Sequence, residues 1–331
     1  PDDVFPQALL YLRIYLMGMP VILLYNFEAA IFRSVGETRV PLVALAMSGV
    51  LNVLLNLFFV AVLHMTVNGV AIATVMANAF SSALLFRRLL RSGKDIRLEP
   101  RRLRMDGRSL WMILRIGLPA GLQSAVFAIS NIVIQSAINS LGKVVMAASS
   151  AAYNIEVFAY DVMNSYNQAC TTFVGQNYGA GQIRRCRKTL YLCLIEDAVS
   201  LGVTVALVLL TGRFLLSIFN NDPQVVALGY DRLKIVFFAY IFSLLYEVMS
   251  GYLRGFGISL VPAALTAFGV CGIRIAWIHF VFPQHPTLQT IMTSYPVSLS
   301  ATALMIFIAL LCYRPARKHA AMEREPAPAG N

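Results

Sequence analysis

The stretch YNIEVFAYDVMNSYNQACTTFVGQNYGAGQIRRCRK, residues 153–188, decides the fold. Its first part is long and apolar enough to cross a membrane, yet it carries Glu156 and Asp161 among several amide and phenol side chains. A lipid-facing helix does not tolerate such groups, so this polar face is predicted to look into the interior of a membrane protein. The glycine-rich turn GQNYGAG then stops the helix, and a run of basic residues follows at 184–188. A basic loop of this kind is typical of the cytoplasmic side of a membrane.

The composition is that of an integral membrane protein. Of the 331 residues, 58% are hydrophobic and 13% are charged, whereas about a quarter of the residues of a soluble protein are charged. The net charge of +11 would suggest nucleic acid as the partner of a soluble protein. Here the basic residues lie in short segments between apolar runs, so we expect no nucleic-acid partner. The five cysteines form no C-x-x-C pair, and they indicate neither a disulfide framework nor a metal site.

Nine apolar runs have the length of about 20 residues that crosses the hydrocarbon core. They occupy roughly residues 8–31, 41–63, 67–90, 110–141, 144–174, 189–219, 225–253, 261–282 and 288–313. The runs are continuous, which argues against the alternating strands of a membrane β-barrel. The sequence therefore predicts an all-α integral membrane protein with nine transmembrane helices.

The basic residues predict the orientation of these helices. If every second connection is cytoplasmic, the cytoplasmic side receives 21 of the 27 lysines and arginines, and the opposite connections contain only Lys143. This asymmetry predicts an N-terminus outside the cytoplasm and a cytoplasmic C-terminus.

An internal repeat predicts the domain organisation. Residues 24–60 align with residues 245–281 at a constant offset of 221. The matches include Arg33 with Arg254, Gly36 with Gly257, and Pro41 with Pro262. Both copies place the arginine-glycine turn on the cytoplasmic side, which predicts two parallel repeats with six helices each. The chain would then hold the last nine of twelve helices: residues 1–90 from the first bundle, a linker at 91–109, the second bundle at 110–314 and a disordered tail at 315–331.

Several separated motifs are similar to those of one transporter family. They are GETRVP at 36–41, NVLLN at 52–56, NGVAIATVMAN at 68–78, RIGLPAGLQ at 115–123, and AAYNIE with TTFVGQNYGAGQ within 151–182. With these motifs in this order, the chain resembles the multidrug and toxic compound extrusion (MATE) family, on its prokaryotic branch.

The resemblance implies a twelve-helix secondary transporter made of two six-helix bundles around a central cavity. Such a protein exports drugs or organic cations in exchange for Na+ or H+, is not an enzyme, and needs no cofactor besides the coupling ion. We expect a multi-pass monomer of the bacterial plasma membrane, whose partners are the small-molecule substrate and the lipid bilayer.

In the first bundle, the resemblance implies a cation pocket at Asn52, Asn56 and Thr74. Relatives often carry Asp at the position of Asn56. Asn52 and Asn56 lie one helical turn apart, where their amide oxygens could bind Na+ or, alternatively, hydrogen-bond a neighbouring helix. Apart from this possible Na+ site, no metal site is predicted.

In the second bundle, Glu156 shares a helical face with Tyr160 and Asn164. Glu156 is predicted to bind a proton or a cationic substrate, with a structural hydrogen-bonding role as the alternative. Asp161 follows Glu156 by five residues, so it is a candidate for the same cavity from another face.

Glu247 is the matching acid on the helix that carries the second repeat. Together with the adjacent Tyr246, it is expected to face Glu156 across the cavity. Gln123 and Asn131 add neutral polar groups to the same cavity.

Other charged residues within the spans favour a structural interpretation. Glu196 and Asp197 could neutralise Arg274 or a neighbouring helix, and Glu28 could pair with Arg33 one turn away. A charged pair of this kind needs no functional explanation.

Two alternative functions remain open at this point. A flippase for lipid-linked oligosaccharides has a related architecture and would require arginines in the cavity, of which Arg274 is the available one. A membrane-embedded transferase of polyprenyl substrates would require an acidic pair near the cytoplasmic mouth, and the doublet at 196–197 is placed in the middle of a helix. No nucleotide-binding or hydrolase motif is present to support an ATP-driven pump or a hydrolase.

Overall fold

A computed structural model describes residues 5–93 and 96–315 of the chain. These ranges contain nine long helices: α1 (Phe5–Ser34), α2 (Arg39–Leu57, continued by a π-helical turn at Phe58–Val62), α3 (Val67–Leu90), α4 (Gly107–Ser140), α5 (Lys143–Gly179), α6 (Ile183–Phe219), α7 (Pro223–Gly255), α8 (Leu260–Thr266, a π-helical turn at Ala267–Gly272, and Ile273–Phe280) and α9 (Leu288–Tyr313). No strand occurs in the described part of the chain. The prediction of an all-α membrane protein is confirmed, and the tail predicted at 315–331 lies outside the described residues, residue 315 excepted.

Among the described residues, eight helices are long and apolar enough to cross a membrane. The ninth long helix, α5, is 37 residues long but is not among these eight, because polar side chains interrupt its centre. Its buried face includes Glu156 and Asn167, as expected for a helix that turns its polar side toward the protein interior.

The internal repeat reappears as the same backbone turn between two pairs of helices. The turn from α1 to α2 contains Gly36 at φ +82°, and the turn from α7 to α8 contains Gly257 at φ +78°. In the first turn the amide of Gly36 donates to Arg33, and in the second the amide of Gly257 donates to Arg254, at 3.0 and 2.8 Å. Glycine is required at both positions because other residues rarely adopt a positive φ. The offset of 221 residues read from the sequence therefore also describes the local structure.

The described residues divide into two compact units, unit 1 up to residue 105 and unit 2 from residue 106. Unit 1 contains α1, α2 and α3, in which α3 packs against both of the other helices. Its small core is formed by Ala29, Phe32, Ala44, Leu85 and Leu89. The predicted boundaries at 90 and 110, and the assignment of each part to a six-helix bundle, stay predictions.

Unit 2 is built around α7, which packs against α5, α6 and α9. A Cβ atom added at Gly251 would lie 2.5 Å from the Oδ1 atom of Asn167, and one added at Gly255 would lie 2.6 Å from Val174. These two glycines therefore allow α7 to approach α5 closely, which is the usual role of a Gly-x-x-x-Gly spacing between membrane helices. The glycines at 117 and 121, which have the same spacing in α4, have no heavy atom within 4 Å of an added Cβ.

Candidate functional site

A cavity of about 540 Å³ lies in unit 2 among α4, α5, α7, α8 and α9. Seven of the eight residues predicted for this unit line it: Gln123, Asn131, Glu156, Tyr160, Asn164, Tyr246 and Glu247. Asp161 is exposed and does not line the cavity. The helical period places it on a different face from Glu156, so its contribution to this cavity is not supported by the geometry.

Glu156 forms a buried ion pair with Arg232 of α7. The Nε and Nη2 atoms of Arg232 donate to the two carboxylate oxygens of Glu156 at 2.7 and 2.8 Å. Both residues are 3% exposed. This two-pronged geometry is the strongest form of an arginine-carboxylate contact, and it neutralises the charge of Glu156 within the protein.

Glu247 has a different environment on the same cavity wall. Its Oε2 atom accepts a hydrogen bond of 2.6 Å from Asn167, and its Oε1 atom accepts one of 3.4 Å from Tyr160. Both hydrogen-bond partners are neutral. No basic side chain of the described residues forms an ion pair with Glu247, although Arg254 on the same cavity wall attracts it from a longer distance. Glu247 is thus the acid of this cavity that retains the capacity to attract a cation.

Two arginines also line the cavity. The guanidinium of Arg274 lies 4.0 Å from the ring centre of Tyr295 and donates to Ser298 at 2.9 Å. Arg254 donates to Gln123 at 3.3 Å. Among the described residues, neither Glu196 nor Asp197 forms an ion pair with Arg274, so that expectation is wrong. Arg274 contacts the hydroxyl of Ser298 and the ring of Tyr295 instead.

Sequence reasoning missed Arg232 and Tyr240, which both contact Glu156. The hydroxyl of Tyr240 approaches the backbone oxygen of Glu156 at 3.5 Å. A signal for Arg232 was present, since a charged residue inside an apolar run generally has a buried partner. That the partner is Glu156 depends on how α5 packs against α7, and this packing cannot be read from the linear sequence.

Unit 1 contains the residues predicted for the cation pocket. The amide nitrogen of Asn56 donates to the Oδ1 atom of Asn52 at 3.0 Å, and the Oδ1 atom of Asn56 is buried without a hydrogen-bond partner. Thr74 donates to the backbone oxygen of Val70 in its own helix at 3.0 Å. The two asparagines therefore form one polar group with a free acceptor, and no side-chain hydrogen bond joins Thr74 to them in the described structure.

Glu28 of unit 1 is also buried, at 3% exposure. Its Oε2 atom accepts a hydrogen bond of 2.9 Å from Ser82 of α3. The expected ion pair with Arg33 does not form among the described residues. The same residues contain no cluster of three or more His, Cys, Asp or Glu that could hold a metal ion.

Two family models match the chain. The MatE model matches residues 119–278, which include most of the cavity of unit 2. The model of the lipid II flippase MurJ matches residues 7–135.

Relatives and solved structures extend the match over most of the chain. The probable multidrug resistance protein YoeA of Bacillus subtilis is 23% identical over 93% of this chain and 68% of its own length. The probable multidrug resistance protein YpnP of the same species is 27% identical over 83% of this chain and 61% of its own length. A crystal structure of MATE in complex with MaL6 superposes with a TM-score of 0.85 at 19% identity, over 94% of this chain and 71% of that one. The chain thus spans about two thirds of the length of these proteins, and the superposition shows that the fold is shared.

Proposed function

We propose a function in drug export for this chain, which is related to the multidrug and toxic compound extrusion (MATE) transporters of bacteria. The cavity of unit 2 would bind an organic cation or a drug of similar chemistry, and the two bundles of the complete transporter would expose it alternately to the two sides of the membrane. The energy would come from exchange for Na+ or H+.

The single observation that carries this proposal is the environment of Glu247. In the same cavity, Glu156 has Arg232 in direct contact as its counter-charge, whereas Glu247 has no ion pair among the described residues and accepts its hydrogen bonds from the neutral side chains of Tyr160 and Asn167. A buried acid without a cation is costly, and a cationic substrate would supply the missing charge. The phenol rings at the cavity wall would add cation-π attraction for such a substrate.

Drug accumulation in cells tests this proposal. Cells deprived of their own exporters should accumulate less of an organic cation such as ethidium when they express the protein. The Glu247→Gln variant should lose this effect, because it removes the negative charge at constant size. Glu196→Gln is the matched control, because Glu196 is an exposed acid of α6. Equal accumulation in cells with the Glu247→Gln variant and with the wild type would refute the proposal.

The polar group of unit 1 supports an ion site as part of the same function. The free Oδ1 atom of Asn56 is an acceptor of the kind that Na+ prefers, next to the amide of Asn52. Thr74 lies on the adjacent helix α3 and would join the site in another conformation of the transporter. Transport measured with a Na+ gradient alone and with a proton gradient alone would show which of the two is the coupling ion.

A flippase for lipid-linked oligosaccharides is the second candidate function. Its support is the match of residues 7–135 to the MurJ model, together with Arg254 and Arg274 at the cavity wall. Arginines of this kind suit the phosphates of a lipid-linked substrate. Competition distinguishes the two functions, because a lipid pyrophosphate should displace ethidium from a flippase at concentrations where it leaves an exporter unaffected. The transferase alternative would require an acidic pair that faces one site. It has no such support, because Glu196 is exposed whereas its neighbour Asp197 is buried.

A further inference from the structure

Asp197 is a buried acid of α6 that has no role in the transport function proposed above. Its side chain is 0% exposed, and neither carboxylate oxygen has a hydrogen-bond partner. It does not line the cavity of unit 2. Burial of an ionised carboxylate without compensation is far more costly than burial of a neutral carboxyl group. The structure around Asp197 therefore favours a carboxyl group that carries a proton.

Helix α6 packs against α5 one turn before and one turn after Asp197. One turn after it, Ser200 shares a hydrogen bond of 2.7 Å with Tyr166. One turn before it, Cys193 is buried in the same apolar core as Cys170 of α5. Because residues three and four apart share a helix face, Asp197 lies between these contacts and faces the middle of α5.

Glu247 of α7 is the charged group that acts on Asp197 from a neighbouring helix. The hydrogen bond of 2.6 Å between Asn167 and Glu247 ties this acid to the same part of α5 that Asp197 faces. The other titratable groups around Asp197 are Tyr166 and Cys170 on α5, and Cys193 and the exposed Glu196 on α6 itself. Tyrosine and cysteine are ordinarily neutral near pH 7, so Glu247 is the buried charge that Asp197 meets.

We propose that Asp197 is a proton-binding site whose proton is released when a cation binds beside Glu247. In this step the O–H bond of the Asp197 carboxyl breaks, the electron pair stays on the carboxylate, and the proton passes to water. Unlike Asp197, Glu247 accepts two hydrogen bonds that stabilise its negative charge, and a second negative charge nearby is then unfavourable. A cation beside Glu247 cancels this repulsion, so cation binding and proton loss are coupled and the coupling is reciprocal. The coupling rests on the proposed function, whereas the proton site itself does not.

Infrared difference spectroscopy of the protein in lipid membranes tests the proton site directly. A neutral carboxyl group has a carbonyl stretch that a carboxylate lacks. The Asp197→Asn variant should lose one such band, which the control Glu196→Gln should retain. An unchanged set of carboxyl bands in Asp197→Asn would overturn the proposal. Asn is close to a neutral carboxyl in size and charge, so the variant keeps the fold in which the bands are compared.

Proton release on binding tests the coupling. In weakly buffered solution with a pH indicator, ethidium should release protons from the wild type and from Glu196→Gln. The Asp197→Asn variant should release fewer protons and, because the coupling is reciprocal, its affinity for ethidium should depend less on pH than that of the wild type. Equal release from Asp197→Asn and the wild type would overturn the coupling. If ethidium does not bind the wild type, the proposed function fails in this experiment, and the infrared bands still decide whether Asp197 holds a proton.

Discussion

Replacement of Arg232 by Met should destabilise unit 2 strongly. The substitution leaves the carboxylate of Glu156 at 3% exposure without the two hydrogen bonds of 2.7 and 2.8 Å that now satisfy it. Removing one partner of a buried ion pair costs about 3–5 kcal/mol. At about 2–4 °C per kcal/mol for a unit of this size, the unfolding temperature should fall by roughly 6–20 °C.

The assay is thermal unfolding in lipid nanodiscs, followed by tryptophan fluorescence. Asp231→Asn is the matched control, because its ion pair with Lys234 has the same length of 2.7 Å but exposed side chains, at 62% and 51%. That control should change stability by less than about 1 kcal/mol. The double variant Glu156→Leu/Arg232→Met should recover most of the loss, since apolar replacement of a whole buried pair is often neutral. A double variant as unstable as Arg232→Met alone would refute this reasoning.

Three further predictions concern other parts of the chain. Gly251→Ala should lower the unfolding temperature, because its Cβ would lie 2.5 Å from a side-chain oxygen of α5, whereas the control Gly117→Ala meets no atom within 4 Å and should be neutral or stabilising. The hydroxyl and the amide of Ser109 lower the pKa of Asp106, the residue before α4. Its stabilising effect is therefore present above the ordinary pKa of about 3.9 and is lost as the pH falls through the lower folded value. The protection of the amides in the first turn of α4, measured against their intrinsic exchange rates at each pH, should therefore fall there in the wild type and change little with pH in Asp106→Asn. Asn56→Ala should weaken the Na+ or H+ dependence of transport, and unchanged ion dependence would count against the pocket of unit 1.

The helices and the repeat could be predicted from the sequence because both depend on local signals. The length of each apolar run determines a membrane span, and the glycines at 36 and 257 determine the turn that each copy of the repeat makes. The helical period also separates Glu156 from Asp161, which the structure places on different sides of α5.

The partners of the buried charges could not be predicted in the same way. Glu156 and Arg232 are 76 residues apart, and Glu28 and Ser82 are 54 residues apart. Each pair depends on which faces of two helices meet, and a period read along one helix does not give that information. The sequence therefore leaves both roles of Glu156 open, a proton or substrate site and a structural one, and the ion pair with Arg232 supports the structural role, whereas Glu247 has no ion pair among the described residues.

The affinity of the purified protein for an organic cation tests the central claim most directly. Fluorescence titration with ethidium would compare the wild type, Glu247→Gln and the exposed control Glu196→Gln. If Glu247 provides the negative charge of the substrate cavity, Glu247→Gln should bind about tenfold more weakly or worse, a loss of about 1.4 kcal/mol or more, while the control matches the wild type. Equal affinities for all three proteins would contradict the claim.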